Sequence, residues 1–302
     1  MDLKSKIILI FGPTASGKSK FAVNLAKKIN GEIINADSMQ VYKELKILSA
    51  RPYQKDYKKI RHHLYGFQNV KKKFSTGSWL KLANKNILDI KKRNKVPILV
   101  GGTGLYFKAL TDGLVRIPNI PIKYRDKIRS LHKKIGSKNF FLKLIRLDPL
   151  VKNYLNPLDT QRVIRAYEIK SFTKKSMYDW FKNTKSKYEQ RDFYKIYIDF
   201  PRDELIKRIN SRASEMIDRG AILEVKKFIK LKVSKNNSAS KAIGISEIRE
   251  FINKKIQISE LIDKISIKTR QYAKRQSTWA RGHMKDWNKV HPVGLDKLLK
   301  KI

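Results

Sequence analysis

A phosphate-binding motif is the clearest chemical signal in this chain. It lies between a short apolar run and a helical pattern, and it consists of Gly12, Pro13, Thr14, Ala15, Ser16, Gly17, Lys18 and Ser19. The spacing matches G-x-x-x-x-G-K-S/T, in which consecutive backbone N–H groups converge on phosphate oxygens and the lysine adds a positive charge. The sequence therefore predicts a site for a phosphate-bearing ligand, with the Ser19 hydroxyl as a ligand of Mg²⁺. The motif alone does not define the reaction.

The carboxylate expected near this motif is Asp37. A nucleotide hydrolase normally has an aspartate for the metal at the end of an apolar strand. The apolar strand predicted over Val96–Val100 ends instead in Gly101, Gly102 and Thr103. Asp37 follows another predicted strand, and ligands bind at the carboxyl ends of parallel strands. An aspartate in this position is equally expected as a helix N-cap, so the residues alone leave both roles open.

A basic segment from 269 to 281 is predicted to be helical. On a helix its polar side chains form one face over an apolar anchor, and that face contains Arg270, Gln271, Lys274, Arg275 and Arg281. A basic helix face in a lysine-rich chain is usually only solvated. Arginine and glutamine, clustered where lysine is the default, indicate instead planar recognition of phosphates or bases.

Strands and helices alternate in the segments that must position these residues. Strands are predicted at 7–11, 32–35, 96–100 and 195–199, with helices from Lys18, over 80–90 and over 106–110. This order predicts an α/β fold with a parallel sheet. Residues 117–191 show only helical signals, with helix starts at 148–149 and 156–157, so we expect a helical insertion in a core of 1–116 and 192–302. Gly31 and Gly282 are expected to end helices, and 232–240 is expected to be a mobile loop.

The charge balance favours a polyanionic partner. The chain has 302 residues, with 69 Lys and Arg against 26 Asp and Glu, which gives a net charge of +43. Cysteine is absent, which excludes disulfides, thiolate chemistry and cysteine zinc sites. The five histidines show no metal-ligand spacing, and no apolar run approaches the length of a membrane span. We expect a cytoplasmic protein that contacts no membrane.

Six ordered segments together resemble one family. They read G-P-T-A-S-G-K-S, N-A-D-S-M-Q-V-Y-K, V-G-G-T-G-L-Y-F-K-A-L, L-D-T-Q-R-V-I-R-A-Y-E, K-A-I-G-I and T-R-Q-Y-A-K-R-Q-S-T-W. The chain resembles the bacterial tRNA dimethylallyltransferases, also called tRNA isopentenyltransferases or IPP transferases, from residue 7 to about residue 282. The resemblance implies a P-loop NTPase-like core and a helical insertion that together hold a tRNA anticodon stem-loop.

The implied reaction is transfer of a dimethylallyl group from dimethylallyl diphosphate to the exocyclic amine of the adenine 3′ to the anticodon, with Mg²⁺. The resemblance assigns catalysis to Asp37 and Thr103, and diphosphate binding to residues 12–19. It places Ser38, Met39 and Gln40, with Asp37 and Thr103, beside the flipped adenine. It implies tRNA contacts from the basic helix and from Arg125, Gln161, Arg162, Val163, Ile164 and Arg165. Lys241 stands where some relatives have arginine. We expect a monomer.

Two other classes of function fit parts of the sequence. A small-molecule kinase that binds ATP is suggested by the segment at 198–201 followed by Arg208 and Arg212, which resemble the late strand and lid arginines of such enzymes. A nonenzymatic RNA-binding protein is suggested by the net charge alone. Phosphoryl transfer from ATP would favour the first, and an equal loss of catalysis and of tRNA affinity in Asp37→Ala would favour the second.

Overall fold

A computed structural model describes residues 3–182 and 184–302 of the chain. It divides into two compact units, one formed by Met1–Thr111 with Tyr188–Ile302 and the other by Asp112–Lys187. Each unit has its own apolar core. Within the described residues no helix is long and apolar enough to cross a membrane.

The larger unit is built on a parallel sheet. In the described part of the chain its order is β3-β2-β4-β1-β5-β6, and the strands are β1 (Ile7–Phe11), β2 (Gly31–Asn35), β3 (His62–His63), β4 (Val96–Gly101), β5 (Phe193–Ile198) and β6 (Asn288–Val290). Strands β1, β2 and β4 are buried along their whole length, as continuous apolar runs require in a sheet covered on both faces. All pairs are parallel, so the loops after β1, β2 and β4 meet at one edge.

Eleven helices complete the described chain. They are α1 (Lys18–Lys28), α2 (Thr76–Lys92), α3 (Gly104–Thr111), α4 (Ile122–Leu147), α5 (Thr160–Thr173), α6 (Met177–Lys182), α7 (Arg202–Asp218), α8 (Ala221–Lys230), α9 (Ile245–Ile252), α10 (Ile258–His283) and α11 (Gly294–Lys301). One face of the sheet packs against α2 and α3, and the other packs against α1 and α11. A third cluster joins α7, α8, α9 and α10 to the loop after β2. The predicted α/β core with a parallel sheet and a helical insertion is confirmed.

The smaller unit contains α4, α5 and α6 around Phe140, Leu144 and Val163. Helix α4 is kinked at Gly136, whose φ of 75° lies in the left-handed region. Helix α5 begins after Asp159, whose carboxylate accepts a hydrogen bond of 3.1 Å from the Arg162 backbone N–H. This unit carries 19 Lys and Arg against 6 Asp and Glu over residues 112–187.

Several predicted boundaries were wrong. Helix α1 ends at Lys28, and its C-cap is Ile29 rather than Gly31. The residue in the left-handed conformation after the helix is Asn30, with φ 53°. Gly31 instead begins β2, where a Cβ would lie 2.7 Å from the Ile98 side chain. Gly282 lies inside α10, which has Met284 as its C-cap. Asparagine tolerates the left-handed conformation, and glycine is needed at position 31 for packing.

The predicted loop is present up to Asn237, where a short 3-10 helix follows, whereas the predicted helix starts at 148–149 and 156–157 differ from the structure. Val233, Asn237 and Ala239 are buried, and the Asn237 side-chain amide donates to the Val70 carbonyl at 2.8 Å. This segment is therefore packed against the core. The 148–149 pair begins only a 3-10 helix, Pro149–Asn153, and no helix begins at 156–157.

Candidate active site

The phosphate loop connects β1 to α1 and packs tightly against itself. A Cβ at Gly12 would lie 2.7 Å from the Ser16 hydroxyl, and Gly17 has φ 81° directly before the first turn of α1. Both glycines are therefore needed for this path of the backbone. The Ser16 Oγ is buried without a hydrogen-bond partner among the described residues. A buried, unpaired hydroxyl in a loop at a helix N-terminus is what an anion site leaves for its ligand.

Asp37 is held at the end of β2 by Asn35. The Asn35 Oδ1 accepts from the Asp37 backbone N–H at 2.9 Å, and its Nδ2 donates to the Asp37 carbonyl at 3.0 Å. The Asp37 Oδ1 accepts from the Met39 N–H at 2.9 Å. The carboxylate thus does act as a cap, but of a short turn and with one oxygen only.

Thr103 joins the ends of β2 and β4. Its Oγ1 accepts from the Ser38 backbone N–H at 2.9 Å and donates to the Ser38 Oγ at 3.2 Å. Its side chain is also hydrogen-bonded to Tyr272 of α10, whose pKa burial raises. Thr103 therefore supports the wall of the site through Ser38 and Tyr272.

Two cavities meet at Asp37. The first, of about 550 Å³, is lined by the phosphate loop, including Lys18 and Ser19, and by α7. The second, of about 330 Å³, is lined by Ser38, Met39, Lys241, Tyr272 and Arg275, among others. Thr14, Asp37, Ser49 and Arg212 line both cavities. A ligand in one cavity and a ligand in the other would therefore approach each other beside the Asp37 carboxylate.

Positive charge is concentrated in the first cavity at a cost in solvation. Burial lowers the pKa of Lys18 to about 8, an effect that the Asp37 carboxylate opposes and the Arg212 guanidinium reinforces. Burial also lowers the pKa of Arg212, although Asp37 and Glu215 oppose this. The Arg212 Nη1 donates to the Thr14 Oγ1 at 3.2 Å. Two cations withdrawn from water make this cavity suited to a multiply charged anion.

Four residues of this site were missed or misassigned from the sequence. Arg212 and the exposed Arg208 were considered only for a kinase, yet both line the first cavity. Glu224 of α8 accepts from the backbone N–H groups at 46–48, at 2.8 to 3.0 Å, and so fixes the loop that bears Ser49. Gln276 of α10 contacts the phosphate loop directly, as its side-chain Oε1 accepts from the Thr14 N–H at 2.8 Å. None of these partners is adjacent in sequence, so no local signal identifies them.

The residues of the smaller unit that are expected to contact tRNA differ in exposure and in their partners. The Glu168 carboxylate, 1% exposed, is held by Arg125 at 3.1 Å and by Arg165 at 3.0 Å. Val163 is buried in the core of this unit, so the expectation that its side chain contacts tRNA is corrected. Gln161 and Arg162 are exposed, and Ile164 is partly buried.

The basic residues of α10 fall on two sides of the helix. Arg275 lines the second cavity. Arg270, Gln271, Lys274 and Arg281 line a separate cavity of about 710 Å³, together with Phe200. Asp199, part of the segment that suggested a kinase, also lies there, paired with Lys289 at 2.9 Å. Among the described residues no group of three His, Cys, Asp or Glu could hold a metal ion.

Comparison with known proteins decides the family. The family model described as IPP transferase matches residues 40–283. The chain belongs to the IPP transferase family. It is 59% identical over 302 residues to the tRNA dimethylallyltransferase of Pelagibacter ubique (strain HTCC1062). The match covers 100% of this chain and 96% of that protein.

Solved structures agree with this assignment. The tRNA isopentenylpyrophosphate transferase of Bacillus halodurans is 32% identical, with a TM-score of 0.70, and the match covers 98% of this chain and 94% of that one. A eukaryotic dimethylallyltransferase acting on tRNA has 28% identity and a TM-score of 0.83, over 95% of this chain and 74% of that one. The predicted family resemblance is confirmed, and the comparisons support neither a kinase nor a nonenzymatic RNA-binding protein.

Proposed function

We propose that this protein transfers a dimethylallyl group from dimethylallyl diphosphate to the exocyclic N6 amine of the adenine 3′ to the anticodon. The tRNAs are those that read codons beginning with U, and diphosphate is released. The observation that carries this proposal is the position of Asp37 where the phosphate-lined cavity meets the second cavity. The family membership and the names of the relatives support it.

The first cavity suits the leaving group. As the bond between the allylic carbon and oxygen breaks, negative charge builds up on the diphosphate, and Lys18 and Arg212 lie where they would stabilise it. The backbone N–H groups of the loop and the N-terminus of α1 add to this stabilisation. The loop here would hold a group that is expelled rather than one that is hydrolysed.

The second cavity suits the acceptor adenine. The N6 lone pair is delocalised into the ring, so this amine is a weak nucleophile and gains from a base that removes its proton. As N6 bonds to the allylic carbon, one N6 proton passes to Asp37, whose Oδ1 is already held by Met39. Thr103 keeps Ser38 and Tyr272 in place around the base, and Met39 completes the wall, whereas Gln40 lines the first cavity.

The residues present fit Mg²⁺ as the cofactor. The Ser19 hydroxyl lines the phosphate cavity, and Mg²⁺ is usually held by few protein oxygens together with substrate phosphates and water. When bound, the ion would neutralise charge on the diphosphate. Binding of Mg²⁺ in this way does not require a cluster of protein ligands, and the described residues contain no such cluster of His, Cys, Asp or Glu.

A tRNA anticodon stem-loop is the partner that the charge favours. The net charge of +43 and the basic residues of α10 provide phosphate contacts. The tRNA contacts proposed in the smaller unit are Arg125, Gln161, Arg162, Ile164 and Arg165. Flipping the adenine out of its loop costs a few kcal/mol, which phosphate contacts can supply. We also propose that the protein acts as a monomer in the cytoplasm, where a chain without cysteine needs no oxidising compartment.

The test is transfer of label from dimethylallyl diphosphate into an anticodon stem-loop with three consecutive adenines. We expect label in the RNA with Mg²⁺ and little with a chelator. Asp37→Asn should reduce the rate by about 10²- to 10⁴-fold, the usual contribution of a general base, while stem-loop affinity stays within about twofold. The control Asp263→Asn removes an exposed carboxylate of α10 and should retain the native rate.

Three outcomes would contradict the proposal. Absence of label with the native protein and Mg²⁺ would refute prenyl transfer. Phosphoryl transfer from labelled ATP in its place would support the kinase. Equal loss of transfer and RNA affinity in Asp37→Asn would assign Asp37 to binding.

A further inference from the structure

The side-chain amide of Gln276 connects the two halves of the site. Gln276 lies on the buried side of α10 and is 5% exposed. Its Nε2 donates to the Gly102 carbonyl at 2.8 Å, and its Oε1 accepts from the Thr14 backbone N–H at 2.8 Å. Because one partner is an acceptor and the other a donor, the amide satisfies both only in this orientation.

The two partners of this amide belong to different functional loops. Thr14 is part of the phosphate loop and lines both cavities. Gly102 directly precedes Thr103, which holds Ser38 and Tyr272 in the wall of the second cavity. A Cβ at position 102 would lie 2.1 Å from the Gln276 Nε2, so the close approach also depends on glycine there. No other side chain is described with hydrogen bonds to both loops.

We propose that Gln276 is a positioning residue for the transfer reaction, which keeps the phosphate loop and the Thr103 loop in one fixed geometry. This inference rests on the proposed function. Prenyl transfer needs the allylic carbon aligned with the adenine amine, and a displacement of about 1 Å can cost about 10²-fold in rate. The position of the bound diphosphate depends on the phosphate loop at Thr14, and the position of the adenine depends on Ser38. Because the Gln276 amide connects the phosphate loop to the Thr103 loop that holds Ser38, it sets the distance between the two substrates.

Replacement by methionine and by glutamate separates the hydrogen bonds from the packing. Gln276→Met retains the length of the side chain and removes both hydrogen bonds at every pH. In Gln276→Glu, the ionised carboxylate accepts from Thr14 but faces the Gly102 carbonyl without a proton to donate. The protonated carboxyl restores both bonds, and burial raises the pKa of such a carboxyl towards neutral pH.

The experiment measures kcat and KM for dimethylallyl diphosphate from pH 6 to pH 8, with the stem-loop Kd at each pH. We expect Gln276→Met to lower kcat by about 10- to 100-fold at all pH values, with stem-loop Kd within about twofold. Gln276→Glu should lose as much at pH 8 and recover at least about fivefold, relative to the native enzyme, at pH 6. The controls Gln257→Met and Gln257→Glu change an exposed residue that precedes α10 and should match the native enzyme.

A second measurement keeps this inference separate from the proposed function. Binding of inorganic diphosphate, followed by calorimetry, should weaken about three- to tenfold in Gln276→Met, because the loop loses a fixed anchor. If the native protein fails to transfer label, the proposed function fails, and the calorimetry still tests the anchoring of the loop. Native kcat and native diphosphate binding in Gln276→Met would overturn the inference. A loss in Gln276→Glu that is the same at pH 6 and pH 8 would overturn it as well, since a merely structural defect has no reason to reverse on protonation.

Discussion

Replacement of Lys18 by methionine should stabilise the fold while it impairs ligand binding. The pKa of Lys18 falls from 10.5 to about 8 because burial removes its ammonium group from water. Each factor of ten in a proton-binding constant corresponds to about 1.4 kcal/mol. The charged Lys18 therefore costs the ligand-free fold about 3 kcal/mol, and Lys18→Met removes that cost.

The pH dependence of this gain follows from the sign of the shift. The charged form is less favourable in the folded than in the unfolded chain, so the cost is fully present below about pH 8. It decreases as the pH rises from about 8 to 10.5, and it vanishes above 10.5, where Lys18 is neutral in both states. The stability difference between Lys18→Met and the native protein should follow the same course.

Urea denaturation without ligand measures the first part of the prediction. We expect Lys18→Met to raise the free energy of unfolding at pH 7 by about 3 kcal/mol at most. The control Lys27→Met makes the same change at an exposed position of α1, where an effect within about 0.5 kcal/mol is usual. A less stable Lys18→Met, or a gain as large at pH 10.5 as at pH 7, would refute the reasoning.

Calorimetry with inorganic diphosphate measures the second part. A charge-assisted hydrogen bond contributes about 1.5–3 kcal/mol, so Kd should rise about tenfold to more than a hundredfold in Lys18→Met. Stem-loop affinity should change less than diphosphate affinity. The reverse order would place Lys18 in RNA recognition rather than in binding the leaving group.

Three further predictions concern the rest of the chain. If about five phosphates are neutralised, doubling the salt concentration should weaken stem-loop binding by about twentyfold, and a flat response would exclude a phosphate-based contact. Glu168→Gln leaves Arg125 and Arg165 without their buried partner, so urea denaturation should show a loss of about 2 kcal/mol or more, and native stability would contradict this. Glu224→Gln weakens the hydrogen bonds that fix the loop at 46–48, so kcat should fall about three- to tenfold with unchanged stem-loop Kd. An unchanged kcat would show that transfer does not depend on these hydrogen bonds.

Local signals were sufficient for the phosphate loop and the buried strands. Residues 12–19 carry their chemistry within one turn, and the strands at 7–11 and 96–100 are continuous apolar runs. The helix boundaries were less accurate, because Asn30 rather than Gly31 takes the left-handed conformation. Both residues follow the same helix, and only packing against Ile98 explains why the glycine is one position later.

Residue type alone did not reveal which charges serve the site. Arg125 and Arg165 were expected on RNA from the family resemblance, and the structure shows that both also hold the buried Glu168 carboxylate of the same unit. Arg212 was expected in a kinase lid, but its neighbours are Thr14 and Asp37. The partners are far apart along the chain: Arg125 and Glu168 are separated by 43 residues, and Arg212 and Thr14 by 198. A single sequence does not show which residues at such separations are in contact.

Helix α10 shows why the buried side of a functional helix is the harder one to predict. Its arginines and lysines stand out in the sequence and indicate a polyanion. Gln276 sits among them as an ordinary polar residue, yet successive residues on a helix point about 100° apart, so it faces the core next to the cavity-lining Arg275. A buried amide needs a donor and an acceptor to balance its solvation, and the phosphate loop and the Gly102 carbonyl supply them. The same helix therefore joins the surface expected to bind RNA to the loop expected to bind diphosphate through its buried side.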